Sequence, residues 1–342
     1  MREIHAMTQQ PAKKLYIHDV CVRDGFQMES VFVPTDAKVD LINRLSLTGL
    51  AKIEVTSFSS PKAIPALADA ESVLVNLNRV PTVEYTALIP NARGCERALK
   101  CELDEHNVVM SASETHNRAN LRMTRDQSLA QFAEIVRLTN GTVAVNASLS
   151  TAFGCPFDGQ ICDDDLLANI DRIAEIGIKR LTLCDTTGMA NPAQVRRICE
   201  LVLTRFPELT VTAHFHNTRG MGLANCIAAL EGGITRFDAS LAGLGGCPFA
   251  PGASGNACTE DMVHMFNAMG YDTGIDVANL IPLANEIPSL VGHDVPGQVM
   301  KAGSYDRIYP MPDWLGGKEQ TRLAGSGNAL IDPECRVTEV AK

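Results

Sequence analysis

No apolar run in this chain approaches the roughly 20 residues that a membrane-spanning helix needs. The opening stretch "MREIHAMTQQPAKKL" has no apolar segment of the kind a secretory signal carries. Eleven cysteines are present, but none of their spacings suggests a disulfide framework or a structural zinc site. They read as free thiols of a reducing cytoplasm. Basic residues are in the minority: 30 Lys and Arg against 40 Asp and Glu leave a net charge of −10. That balance speaks against a nucleic-acid-binding surface. It also repels anions, so an anionic substrate needs local positive charge or a metal ion. No G-x-G-x-x-G follows the first strand, which weakens a dinucleotide-binding reading.

The chain does have length and rhythm. Its 342 residues, 45% of them apolar, suffice for one big domain or two ordinary ones. Short, β-branched stretches at 14–22, 51–58, 83–91, 106–113, 143–153, 180–187, 210–217 and 236–243 read as strands. Helical patterns follow them after Pro34, over 63–77, 93–102, 124–138, 163–176, 192–205 and 222–232, and from Thr259. Alternation of this kind implies parallel pairing. Eight such units within roughly 250 residues predict a (β/α)8 TIM barrel, with a doubly wound open sheet as the competitor. Residues 276–291 read as a further helix. From Gly297 onward, Gly and Pro become frequent and sustained periodicity stops. Residues 1–297 are therefore expected to form the barrel domain, and 298–342 a tail packed on the barrel or partly disordered.

In such a barrel, chemistry sits at the C-terminal ends of the strands, and polar residues recur there. The first strand delivers Arg23 and Asp24, the second contains Glu54, and the fourth ends near Ser113 and Glu114. The sixth gives Asp185 and the seventh His214 and His216. This convergence favours the barrel. Residues two apart on a strand face the same way, so the two histidines can grip one ion. That reading is preferred to two satisfied core imidazoles. Two imidazoles with carboxylate and amide oxygens suit Mg2+, Mn2+ or Co2+. Arg23–Asp24–Gly25 reads either as a surface turn or as a cation for a developing oxyanion beside an anionic ligand. Glu54, inside an apolar strand, needs a cation or a hydrogen-bonding role, and Arg23 is the natural candidate. The glycine-rich stretch "AGLGGCPFAPGASGN" (242–256) has the character of a mobile loop over an active site. Its Cys247 is either a reactive group or a small buried hydrophobe.

Five stretches, "VRDGFQMES", "IEVTSFSSPKAIP", "LCDTTGMANP", "AHFHNTRGMGLAN" and "AGLGGCPFAPGASGNACTEDMV", together resemble the 3-hydroxy-3-methylglutaryl-coenzyme A lyase family, in order from about residue 15 to 295. The glycine-cysteine loop is the specific element. The Arg-Asp-Gly and His-x-His elements are shared with isopropylmalate synthases and biotin-dependent transcarboxylase domains. The resemblance implies retro-Claisen cleavage of the acyl-CoA substrate to acetyl-CoA and acetoacetate. It implies a divalent ion, Mg2+ or Mn2+, on Asp24, His214, His216 and Asn256, and Arg23 stabilising the enolate. It further implies Cys247 near the proton transfer on the acetyl side, and His214 and Asp185 handling the hydroxyl proton. Glu54 would hold Arg23 or a metal-bound water, Glu260 would support the closed loop, and Gln27 and Ser57 would assist substrate binding or the loop. A cytoplasmic homo-oligomer, a dimer, is expected, without nucleic-acid or membrane partners. The chain departs from the family pattern at Val22, Phe26, Met28 and Asn217. Phe26 and Met28 are expected beside the reacting centre, where a larger apolar wall would suit a different acyl group. A lyase for a longer branched or citramalyl-type thioester is the first alternative, and a Claisen-type synthase the second.

Overall fold

Each strand–helix unit buries one stripe of its helix against one face of its strand. The stretch 191–205 illustrates how the sequence sets this up. The Asn191 side chain accepts the Gln194 N–H at 3.1 Å, and Pro192 opens the helix, where its missing N–H costs nothing. Val195, Ile198, Cys199 and Val202 then recur at helical spacing and are all buried.

The computed structural model describes residues 12–246 and 255–311. The strands are Tyr16–Asp19 (β1), Lys52–Ser57 (β2), Glu84–Leu88 (β3), Glu105–Ser111 (β4), Ala144–Ser150 (β5), Arg180–Asp185 (β6), Thr210–Phe215 (β7) and Arg236–Ala239 (β8). They close in sequence order into one barrel, and every neighbouring pair is parallel. The helices are Thr35–Leu45 (α1), Ala70–Val75 (α2), Ala92–Ala98 (α3), Glu114–Leu121 (α4), Arg125–Thr139 (α5), Asp163–Glu175 (α6), Pro192–Arg205 (α7), Gly222–Glu231 (α8), Thr259–Ala268 (α9), Val277–Val291 (α10) and Val299–Ala302 (α11). The molecule is thus the (β/α)8 TIM barrel that the rhythm predicts. Three local readings change. The first strand stops at Asp19, because the Val20 carbonyl accepts the N–H groups of Arg23, Asp24 and Gly25 and winds 21–25 into a π-helical turn. The helix expected over 63–77 is a 3-10 turn at Pro65–Leu67 followed by α2. α4 is additional: it starts where the Ser113 side chain accepts the His116 N–H at 2.9 Å.

The strand period sorts residues between two environments. Outward positions such as Ile53, Val55, Leu181, Leu183 and Phe237 are buried under the helices. Phe237, for one, lies 5.0 Å from the Phe266 ring of α9. The inward positions are polar, in contrast to the branched apolar fill usual for this architecture. His18, Lys52, Glu54, Thr86, Glu105, Asn107, Asn146, Thr182 and Asp238 line the lumen. At its base, Lys52 Nζ lies 2.5 Å from Glu105 Oε1, and Arg180 Nη1 lies 2.7 Å from Glu105 Oε2 and also pairs with Glu84. One level up, Asn107 Oδ1 accepts from Asn146 Nδ2 at 2.9 Å and Ser148 Oγ at 2.8 Å. Buried polar groups are tolerated because they satisfy one another.

The chain divides into two units, Met1–Ser304 and Tyr305–Lys342. Residues 298–304 of the expected tail fall in the first unit: Asp261 Oδ1 accepts the N–H groups of Gln298 and Val299 at 3.1 and 2.7 Å. Residues 312–342 of the tail lie outside the described residues. Among the described residues, the nine cysteines are unpaired, and no helix is long and apolar enough to cross a membrane.

Candidate active site

The π-helical turn after β1 is what carries Arg23 and Asp24 over the barrel mouth. It is anchored by Asp19, whose Oδ1 accepts the Cys21 N–H at 2.9 Å and whose Oδ2 accepts from Thr259 Oγ1 at 2.6 Å. Arg23 is buried. Its Nε donates to Glu54 Oε2 at 2.5 Å, and its Nη1 pairs with Asp24 Oδ1. The second Glu54 oxygen accepts Asn107 Nδ2 at 2.8 Å. Glu54 therefore has its cation, and the guanidinium is held on two sides. Burial drives the Glu54 carboxyl upward, against the pull of Arg23. Burial acts the same way on Asp24, but Arg23, His216, His214 and the Asn256 amide together hold it below the usual carboxylate range. Gln27 Nε2 donates to Asp24 Oδ1 at 3.2 Å.

His214 and His216 project from the end of β7 and its continuation, with ring centroids 5.1 Å apart. Asp24, His214 and His216 each offer a donor atom, all within 4.8 Å of one another. Asn256 reaches the cluster from the far side of the glycine-rich loop, where the chain returns alongside β7. The Ala257 N–H donates to the Phe215 carbonyl at 2.8 Å, and the Asn217 N–H to the Gly255 carbonyl at 2.9 Å. Asn256 Nδ2 donates to Asp24 Oδ2 at 2.8 Å and to the Leu244 carbonyl at 3.0 Å. Its Oδ1 is buried with no partner, as is His216 Nδ1.

These residues fit a divalent cation on two grounds. Asn256 Oδ1, a buried acceptor beside the Asp24 cluster, has nothing to accept from. With neutral imidazoles, buried Arg23 sits among three carboxylates, Asp24, Glu54 and Asp238, an excess of negative charge that needs neutralising. Oxygen and imidazole donors without thiolate suit Mg2+ or Mn2+.

Gly255 is a precondition for this arrangement. Its φ is +122°, and a Cβ there would stand 2.1 Å from the Gly243 carbonyl oxygen. Gly255→Ala is expected to cost on the order of 1–3 kcal/mol from backbone conformation alone, and to displace Asn256. Urea unfolding should register the first effect and Mn2+ titration of the metal-stripped protein the second. A variant unchanged in both would deny Gly255 its part.

The remaining expected residues fall as follows. Asp185 closes β6. Its Oδ1 accepts the Met189 and Ala190 N–H groups at 2.8 and 3.1 Å, its Oδ2 is buried without a partner, and burial pushes its carboxyl up to about 6. Glu260, in the first turn of α9, accepts the Ala242 N–H at 3.0 Å and so pins the 3-10 turn Leu241–Gly243 that leads into the loop. Burial pushes its carboxyl up to about 7. Ser57 is engaged in its own turn, donating to Ser59 Oγ at 2.8 Å and accepting the Ser59 N–H at 3.1 Å. Cys247 and the loop around it, 247–254, lie outside the described residues. Of the two departures expected beside the reacting centre, Phe26 is buried in the core and Met28 is exposed. Three residues are not evident from the sequence: Asn107, which completes Glu54, and Asp238 and His18 in the lumen. Their signal was an ionisable or amide side chain at an inward position of an otherwise apolar strand.

Comparison with known proteins gives the family. The HMGL-like family model matches residues 14–287. A hydroxymethylglutaryl-CoA lyase of Bacillus subtilis is 45% identical over 287 residues, 84% of this chain and 96% of that protein. An (R)-citramalyl-CoA lyase of Chloroflexus aurantiacus is 39% identical over 311 residues, 87% of this chain and 98% of that protein. Among solved structures, an HMG-CoA lyase from Acinetobacter baumannii in complex with coenzyme A and 3-methylmalate is 51% identical, covers 87% of this chain and 98% of its own, and superposes with a TM-score of 0.84. With a family match spanning all eight strands, this chain belongs to the HMGL-like family.

Proposed function

We infer that the protein is a carbon–carbon lyase that splits 3-hydroxy-3-methylglutaryl-CoA into acetyl-CoA and acetoacetate. The observation that carries this reading is the convergence of Asp24, His214, His216 and the unpartnered Asn256 oxygen beside a doubly held Arg23. A divalent ion bound there supplies Lewis acidity toward the substrate's tertiary hydroxyl. The chain's own residues do the rest. Asp185, whose Oδ2 has no partner, takes the hydroxyl proton. His214, the other candidate for that proton, turns Nδ1 toward Asp238 and is assigned to the ion. As the C–C bond breaks, its electron pair passes to the acetyl thioester as an enolate. The Arg23 N–H groups not used by Glu54 and Asp24 neutralise the enolate oxygen. The carbon then takes a proton, a step this reading assigns to Cys247. Glu260 steadies the base of the loop that bears it. Gln27 holds Asp24 in register, and Ser57 shapes the rim at the end of β2. The same reading takes the protein as a cytoplasmic homodimer, the compartment argued from its unpaired thiols.

A citramalyl-type thioester is the second reading, favoured by the 39% identical relative. A panel of 3-hydroxyacyl-CoA thioesters, assayed for acetyl-CoA release with chelator and then with added Mg2+ or Mn2+, separates the two. The expected result is metal-dependent turnover fastest with the hydroxymethylglutaryl thioester. Turnover confined to the citramalyl thioester would select the second reading, and none with any thioester would remove both.

A further inference from the structure

The centre of the barrel wall holds an acid that takes no direct part in the chemistry above. β8 lies between β7 and β1, and the register sets Asp238 beside both His214 and His18. The two histidines are buried and Asp238 is half-buried, and the carboxylate is divided between the two rings: Oδ1 lies 2.8 Å from His18 Nδ1, and Oδ2 lies 3.4 Å from His214 Nδ1. The second contact is long for a formed hydrogen bond, yet it decides which way the ring faces. With Nδ1 toward the carboxylate, His214 has Nε2 left for the cluster with Asp24 and His216.

His216 offers the contrast. Its Nε2 stands 3.9 Å from Asp24 Oδ2, and its Nδ1 is buried with no partner. Only one of the two histidines therefore has a carboxylate behind it. An imidazole that binds a cation through one nitrogen is held in tautomer and direction by the acceptor on the other. His18 has its own part in this. A half-buried carboxylate held by one long contact alone would be free to turn, and the 2.8 Å bond to His18 holds Asp238 in place whether or not His214 is engaged.

We propose that Asp238, braced by His18, is a positioning residue that presents His214 to the divalent ion through Nε2. The proposal rests on the metal site of the preceding section, and its test keeps the two apart. The full chain is stripped with chelator and titrated with Mn2+, without substrate, for the wild type, Asp238→Asn, His18→Gln and His216→Ala. Asp238→Asn preserves shape but removes the charge. It is expected to weaken Mn2+ binding about ten- to hundredfold, the usual loss for a group behind a metal ligand. His18→Gln, which keeps a donor, should weaken it less. His216→Ala is the control. If it loses Mn2+ while Asp238→Asn binds as the wild type does, the positioning role is wrong and the metal site stands. If His216→Ala also binds normally, the metal site itself is wrong, and the proposal falls with it. Should Asp238→Asn not fold, nitrogen NMR of the Mg2+-loaded wild type decides. A His214 that is protonated on Nδ1 and ligated through Nε2 supports the proposal, and ligation through Nδ1 overturns it.

Discussion

Replacing Arg23 with lysine is expected to lower kcat by about a hundredfold or more, the loss measured when one oxyanion donor is removed elsewhere. The substitution keeps the charge, so the effect isolates geometry. In the wild type, one planar fork bonds Glu54 through Nε at 2.5 Å and Asp24 through Nη1, and it is this double hold that aims the remaining N–H groups. A lysine ammonium is a single point of charge on a flexible stem and cannot meet both carboxylates while still facing the substrate. Because enolate charge appears only as the C–C bond breaks, the loss should fall on kcat and leave KM much less changed. Arg23→Gln removes the charge as well and should be no better. The measurement is steady-state acetyl-CoA release at saturating Mn2+, with thermal melting to confirm that Glu54, deprived of its partner, has not unfolded the barrel. A near-normal kcat in Arg23→Lys would sink the role assigned to the fork.

The second large effect belongs to His216→Ala, in which metal content and turnover should fall together. The residue is 4% exposed, its Nε2 faces Asp24 Oδ2 at 3.9 Å, beyond hydrogen-bond length, and its Nδ1 has no partner. Truncation therefore removes a donor to the ion without breaking any side-chain hydrogen bond that would otherwise hold the fold. Loss of a ligand should exceed the roughly 10–100-fold that follows loss of a group behind a ligand. Metal content after dialysis against Mn2+, compared with turnover in the same preparation, is the check. Full metal occupancy with full turnover would mean that the ion, if present, sits elsewhere.

Much of this was legible in the sequence because the signals that govern it are local. Short β-branched stretches marked the eight strands, and β5 to β7 lie within the stretches expected. Helical stripes such as Val195, Ile198, Cys199 and Val202 marked the layer outside them. His214 and His216 were legible as a pair for the same reason: spacing alone puts them on one face. What was not legible depended on non-local partners. "VCV" before Arg23 reads as more strand, and only the Val20 carbonyl, bonding three successive N–H groups, turns it into the bend that lifts Arg23 and Asp24. α4, "ETHNRANL", has no apolar stripe to announce it and is fixed instead by the Ser113 cap. His18 and Asp238 each look like a single polar residue in an apolar strand, and their meaning lies in a register between strands 220 residues apart.

The ion pairs at the base of the lumen have a kinetic consequence. Lys52, Glu105 and Arg180 belong to β2, β4 and β6, none of which is hydrogen-bonded to another. Strand pairing can proceed around the sheet one neighbour at a time, but these ion pairs form only when the sheet has curved enough to bring alternate strands face to face across its interior. They are therefore absent while the chain is still assembling and present once the ring has closed. Stabilisation gained so late leaves the folding rate nearly untouched and appears almost wholly as slower unfolding, so that the charged floor of the barrel works as a latch on the closed ring.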